Sequence, residues 1–170
     1  MSVQTSRKVA YIALGSNLGD ARQYVFEAII RLQSFSERPL QKSSLWKTTP
    51  VDCPPGSPDF VNAVVALVPR TGETPESLLK KLQALEKEFG RGPKNVLNEP
   101  RPLDLDLIAF GDEQRNSSQL TLPHPRAHQR RFVLQPLAEI APEFILPEQG
   151  KTVAQLLGEL PLVEEIERLK

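Results

Sequence analysis

Positions 9–14, Val-Ala-Tyr-Ile-Ala-Leu, carry no polar residue. That is the length of a strand and too short for a core helix, so a buried first strand is predicted there. Gly15-Ser16-Asn17-Leu18-Gly19 breaks the run, and Asp20 with Gln23 predicts an N-cap and a capping box. Val25, Ala28, Ile29 and Leu32 follow at helical spacing, which carries a first helix to about residue 34. Strands are expected over 42–48 and over 60–68, the latter dense in Val and Ala, with a proline-rich loop between them. Thr74-Pro75-Glu76 places a capping hydroxyl, a proline at the first helical position and an acid in the first turn. Leu78, Leu82, Leu85 and Phe89 then form one helical stripe that Gly90 ends, with Gln83 and Glu86 together beside it. Residues 92–102 have no period. A fourth strand is expected over 103–110, a short extra one over 120–122, and helical pieces over 132–140 and 153–160. The order strand-helix-strand-strand-helix-strand is that of an α+β, ferredoxin-like βαββαβ fold.

The chain has 170 residues, which suits one compact domain with a core of about 9–147. The remaining stretch, 148–170, is a C-terminal extension, whose tail from Lys151 to Lys170 is expected to pack on the domain as a helix. Twenty-one Lys and Arg balance twenty-one Asp and Glu. A neutral chain gives no general electrostatic case for nucleic acid or an anionic membrane as partner. Cys53 is the single cysteine, so neither an intrachain disulfide nor a Cys/His metal motif is available. The first residues are polar and no apolar run approaches a membrane span. A cytoplasmic monomer is the expectation.

Candidate chemistry concentrates in Leu103-Asp104-Leu105-Asp106-Leu107. Alternate side chains of a strand share a face, so the two carboxylates project together, roughly 7 Å apart at the backbone. Asp is a poor strand residue and like charges repel, and a divalent cation between them would offset both costs. A half-buried strand with a wet polar face is the plain alternative. Arg91, Lys94 and Arg101 precede the pair, and His124, Arg126, Arg130 and Arg131 follow it. An acid pair among arginines suits phosphoryl transfer, where neutralising and positioning charge is most of the catalysis. There is no GxxxxGK[ST] loop, no GxGxxG turn and no GxSxG elbow. Phe60 and Asn62 share a strand face and could stack on and hydrogen-bond a flat heterocycle; taken alone, a core Phe beside an edge Asn is the plainer, structural reading.

In combination these segments resemble the 6-hydroxymethyl-7,8-dihydropterin pyrophosphokinase family. The matching stretches run in order from Tyr11-Ile-Ala-Leu-Gly-Ser-Asn-Leu-Gly19 through Ser43, Ser44 and Thr48 to Pro58-Asp-Phe-Val-Asn-Ala63. They continue through Gly90-Arg91 and Pro100-Arg-Pro-Leu-Asp-Leu-Asp-Leu107 to Leu122-Pro-His-Pro-Arg126, Arg130 and Pro136-Leu-Ala-Glu-Ile-Ala-Pro142. Pro93, Leu97, Glu99 and Pro125 depart from residues common in the family. The resemblance implies a mainly antiparallel sheet with helices on both sides, and transfer of diphosphate from ATP to the pterin with release of AMP. It implies two Mg²⁺ ions at Asp104 and Asp106, and a pterin held by Thr48, Thr49, Val51, Phe60, Asn62 and Phe132. It implies ATP contacts at Gln83, Glu86, Arg91, Lys94, Arg101, Leu107, Thr121, His124 and Arg130, with Arg91 and Arg101 also catalytic and the loop 90–102 closing over the substrates. A metal-dependent phosphohydrolase and a non-catalytic binding module of the same fold are the rival readings.

Overall fold

The computed structural model describes residues 8–49, 56, 58–90, 102–161 and 166–169. At its centre is β1 (Ala10–Ser16), every residue of which is buried. It pairs antiparallel with β4 (Phe60–Leu67) on one side and with β5 (Asp104–Phe110) on the other. Beyond β4 lies β3 (Trp46–Thr48), and beyond that β8 (Ile166–Arg168), so the order is β5-β1-β4-β3-β8. A two-residue strand, β2 (Gln41–Lys42), pairs with the far end of β4. With α1 (Ala21–Leu32) after β1 and α2 (Pro75–Glu88) after β4, this is the expected ferredoxin-like core, and all its pairs are antiparallel.

Both faces of the sheet are covered, which is why β1 reads as an unbroken apolar run instead of alternating. On one face α1 and α2 set Val25, Ala28, Leu32, Leu78, Leu82 and Leu85 against Ile12, Leu14, Ala63, Val65 and Leu105. On the other, α3 (Arg131–Ile140) and α4 (Val153–Glu159) set Val133, Leu134, Leu137, Val153 and Leu156 against Tyr11, Ala13, Val64 and Ala66. Fully burying each Val, Leu or Ile among these stabilises the fold by roughly 1.5–3 kcal/mol.

Local signals mostly act as their chemistry suggests. Thr74 and Ser77 cap α2 reciprocally, and Gly90 leaves the helix at φ +92°. Asp20 does accept the Gln23 backbone N–H at 3.2 Å, but the Gln23 side chain donates forward to Glu27 at 3.0 Å. The second half of the expected capping box is therefore not made. The expected strand over 42–48 is broken in two. At the break the Ser43 hydroxyl accepts the Val64 N–H (2.9 Å) and donates to the Ser44 carbonyl (2.7 Å), so a side chain replaces a rung of the ladder. The expected short strand is β7 (Thr121–Leu122), and it pairs with β6 (Arg115–Asn116), a strand without a signal in the sequence. The C-terminal stretch is more than the expected helix. After α4 it supplies β8, which extends the sheet edge beside β3, and Leu169 donates its N–H to the Leu45 carbonyl at 2.8 Å.

Candidate active site

Register across the sheet decides which residues meet. Gly15 pairs with Asp104 on β5 and with Asn62 on β4, and Asn62 pairs in turn with Trp46 on β3. Asp104, Gly15, Asn62 and Trp46 therefore form one row across four strands. Adjacent strands lie about 4.8 Å apart, so the Asp104 and Asn62 backbones are roughly 10 Å apart, with glycine between them. Asp106 stands one step along, opposite Ala13. The two Asp side chains are half-buried, whereas Leu103, Leu105 and Leu107 are buried on the α1–α2 side. The alternation read from the sequence holds. Leu107 accordingly keeps its side chain in the core, on the face opposite the acids.

The strand carrying the acids is anchored by Glu86. This carboxylate, buried in the last turns of α2, accepts the Leu105 N–H at 2.7 Å, at the residue between the two Asp. Glu86 thus holds β5 in place. Gln83, three residues earlier, is exposed. Glu86→Ala would leave the Leu105 N–H without this acceptor and is expected to cost about 1–3 kcal/mol of stability. Glu86→Gln retains an acceptor oxygen and should recover most of that loss in a chemical-denaturation series.

His124 borders the same strand. Its backbone N–H donates to the Ile108 carbonyl at 2.9 Å, and its Nδ1 accepts the Arg126 N–H at 3.2 Å. An accepting Nδ1 carries no proton, so the proton of the neutral ring is on Nε2. Burial, reinforced by the Arg130 charge, lowers its pKa to about 4 despite the opposing pull of Asp104. The ring is then a neutral hydrogen-bond donor near pH 7. The unfolded chain, with an ordinary imidazole pKa near 6.5, binds the proton more readily than the folded one. The stability from keeping this ring neutral is therefore present above about pH 6.5 and is lost as pH falls toward 4. His124→Gln is expected to flatten the acid limb of stability between those values in pH-dependent unfolding.

Phe132 lies at the start of α3 and packs against the Ala13–Val64 side of the sheet, the side that carries Asn62 and the acids. The Arg130 guanidinium sits 5.4 Å from the centre of its ring, a cation–π pair. Thr48 is buried and its hydroxyl donates to Asn62 Oδ1 at 2.5 Å, which orients the amide. Phe60 is half-buried opposite Thr48, Thr49 is exposed just beyond β3, and Thr121 is exposed on β7. Val51, Arg91, Lys94 and Arg101 lie outside the described residues, as does most of the expected closing loop.

Two residues escaped the sequence reading. Glu139 on α3 accepts the Ser44 N–H (3.1 Å) and Trp46 Nε1–H (2.6 Å) through one oxygen, and the Ser44 hydroxyl (2.8 Å) through the other. It ties the helix of Phe132 to the strand of Thr48, and no spacing rule links residues more than ninety positions apart. The other is Gly15, legible only once the register is known.

The donor set suits a hard cation. Two half-exposed carboxylates supply oxygen ligands and no softer ligand, which fits Mg²⁺ completing its shell with phosphate oxygens. Among the described residues no group of three or more His, Cys, Asp or Glu forms a closed metal cage.

The family model described as 7,8-dihydro-6-hydroxymethylpterin-pyrophosphokinase matches residues 11–142. The chain is 40% identical over 151 residues to the 2-amino-4-hydroxy-6-hydroxymethyldihydropteridine pyrophosphokinase of Synechocystis sp., covering 89% of this chain and 75% of that protein. It is 40% identical over 160 residues to the protein of the same name from Pseudomonas aeruginosa, covering 94% and 95%. Among solved structures, a Plasmodium falciparum HPPK-DHPS triple mutant with pteroate superimposes with a TM-score of 0.70 at 14% identity, covering 93% of this chain. The chain spans 44% of that longer protein, and the likeness there is one of fold.

Proposed function

Because the chain belongs to the 7,8-dihydro-6-hydroxymethylpterin-pyrophosphokinase family, it is a pyrophosphokinase of folate biosynthesis, and we propose how its residues divide the work of moving diphosphate from ATP to the pterin. The observation that carries the assignment is the cross-strand row. It sets an acid pair suited to a metal–phosphate site beside an amide suited to a heterocycle edge, on one face and one end of the sheet.

Phe60 and Phe132 hold the flat pterin ring, while Asn62 and the backbone at Thr48, Thr49 and Val51 read its polar edge. The hydroxymethyl group then points along the row toward Asp104 and Asp106. Asp104 and Asp106 would hold two Mg²⁺ ions, which would supply charge neutralisation and orientation of the triphosphate. The hydroxymethyl oxygen forms a bond to the β-phosphorus as the bond from that phosphorus to the α,β-bridging oxygen breaks, and AMP leaves. Asp106 accepts the hydroxyl proton. His124 donates from Nε2 to a phosphate oxygen. Arg91, Lys94 and Arg101 bring positive charge to the transferring group, and Arg130 adds its own beside Phe132. Gln83, Thr121, Glu86 and the Leu107 backbone border the nucleotide. One catalytic domain, acting as a monomer in the cytoplasm, suffices for this chemistry.

The test is a mixture of protein, ATP, Mg²⁺ and the hydroxymethyl dihydropterin. AMP formed only when the acceptor is present supports the assignment. Phosphate released without the acceptor would indicate a hydrolase, and binding without turnover a recognition module.

A further inference from the structure

We infer that Gly15 is a positioning residue for pterin recognition: the space of its missing side chain is filled by the Asn62 amide, which thereby leans over β1 toward the acid pair. This rests on the proposed role of Asn62 in reading the pterin edge. A glycine weakens the interior of a strand, because it has no side chain to pack and loses the most backbone freedom on folding. One reason to tolerate it is a left-handed backbone, but Gly15 is not among the glycines of positive φ and lies in regular pairing on both sides. What remains is space. A Cβ built on Gly15 would stand 2.9 Å from Asn62 Nδ2 and 3.7 Å from a ring carbon of Phe60. The first distance is one that real Cβ atoms do not adopt, so any other residue here must displace the amide. Asn62 has little room to yield. It is buried, its Oδ1 is held by the Thr48 hydroxyl at 2.5 Å, and Trp46 stands on its far side in the same row. A methyl group at position 15 would therefore turn the amide away from the orientation that Thr48 sets, while meeting Phe60 only at an ordinary van der Waals distance.

The experiment measures reduced-pterin and ATP affinity by separate titrations, together with melting temperature, for Gly15→Ala, Asn62→Ala and the double variant. Gly15→Ala is expected to weaken pterin binding about tenfold while ATP affinity changes less than about twofold. In the Asn62→Ala background the clash is gone, so adding Gly15→Ala should change pterin affinity by less than about twofold. If Asn62→Ala weakens the pterin but Gly15→Ala does not, the inference fails and the reading of Asn62 stands. If Asn62→Ala leaves pterin affinity unchanged, that reading itself fails. Losses that multiply in the double variant would mean that Gly15 acts independently of Asn62 and would overturn the inference. So would a fall in melting temperature and in both affinities that persists when Asn62 is also truncated, since a position needed only for folding behaves that way.

Discussion

Asp104→Asn and Asp106→Asn are each expected to lower acceptor-dependent AMP formation by about two orders of magnitude or more, with melting temperature in the absence of metal nearly unchanged. The amide keeps the volume and the strand geometry, and Glu86 still holds the Leu105 N–H between the two positions. What is lost is the negative charge that, on the proposed assignment, would draw a hard cation to this stretch of β5. Without that cation the triphosphate keeps its full charge against an incoming oxygen, and the reacting groups lose their common template. The substitution also removes one of two like charges that share one strand face, which relieves their mutual repulsion. Raising Mg²⁺ should recover part of the rate in the Asn variants, as weakened metal binding requires. Near-normal turnover in both would end the metal assignment and the mechanism built on it.

Phe132→Ala is expected to weaken pterin binding by roughly 1–3 kcal/mol, by analogy with base–aromatic stacking. That corresponds to between about fivefold and more than a hundredfold in Kd. ATP binding should fall far less. The ring also lies under the Arg130 guanidinium, so a small secondary loss for ATP is expected as that charge becomes less ordered. Separate titrations with the reduced pterin and with a non-hydrolysable ATP analogue distinguish the two. Equal losses for both ligands would remove Phe132 from the pterin pocket.

Local chemistry made much of this protein legible in its sequence. The buried first strand, the Thr74 cap, the stop at Gly90 and the alternation of Asp104 and Asp106 with three leucines all follow from one to six neighbouring residues. What escaped depends on partners far away in the chain. Ser43 breaks its strand because a hydroxyl competes for the Val64 N–H across the sheet. β8 falls where a helix is expected, because Ile166, Glu167 and Arg168 form a short, mostly exposed edge strand without an apolar alternation to announce it. Glu86 reads as a surface acid beside a helical stripe, and only the fold shows it buried on the backbone of β5. For the site itself, the acids and the amide were read singly. Their alignment in one row, with Gly15 between, comes from a pairing register that no single segment encodes.

The three bonds to Glu139 bear on how quickly and how cheaply a flat ring can be taken up. By fastening the helix of Phe132 to the segment that leads into Thr48, this carboxylate joins the two elements to which the proposed pterin contacts belong. Their ordering entropy is met during folding and does not have to be subtracted from the binding free energy. If the proposed reading of Phe132 and Thr48 holds, a heterocycle bound between these elements need not wait for them to assemble, and association there should be closer to that of a rigid receptor.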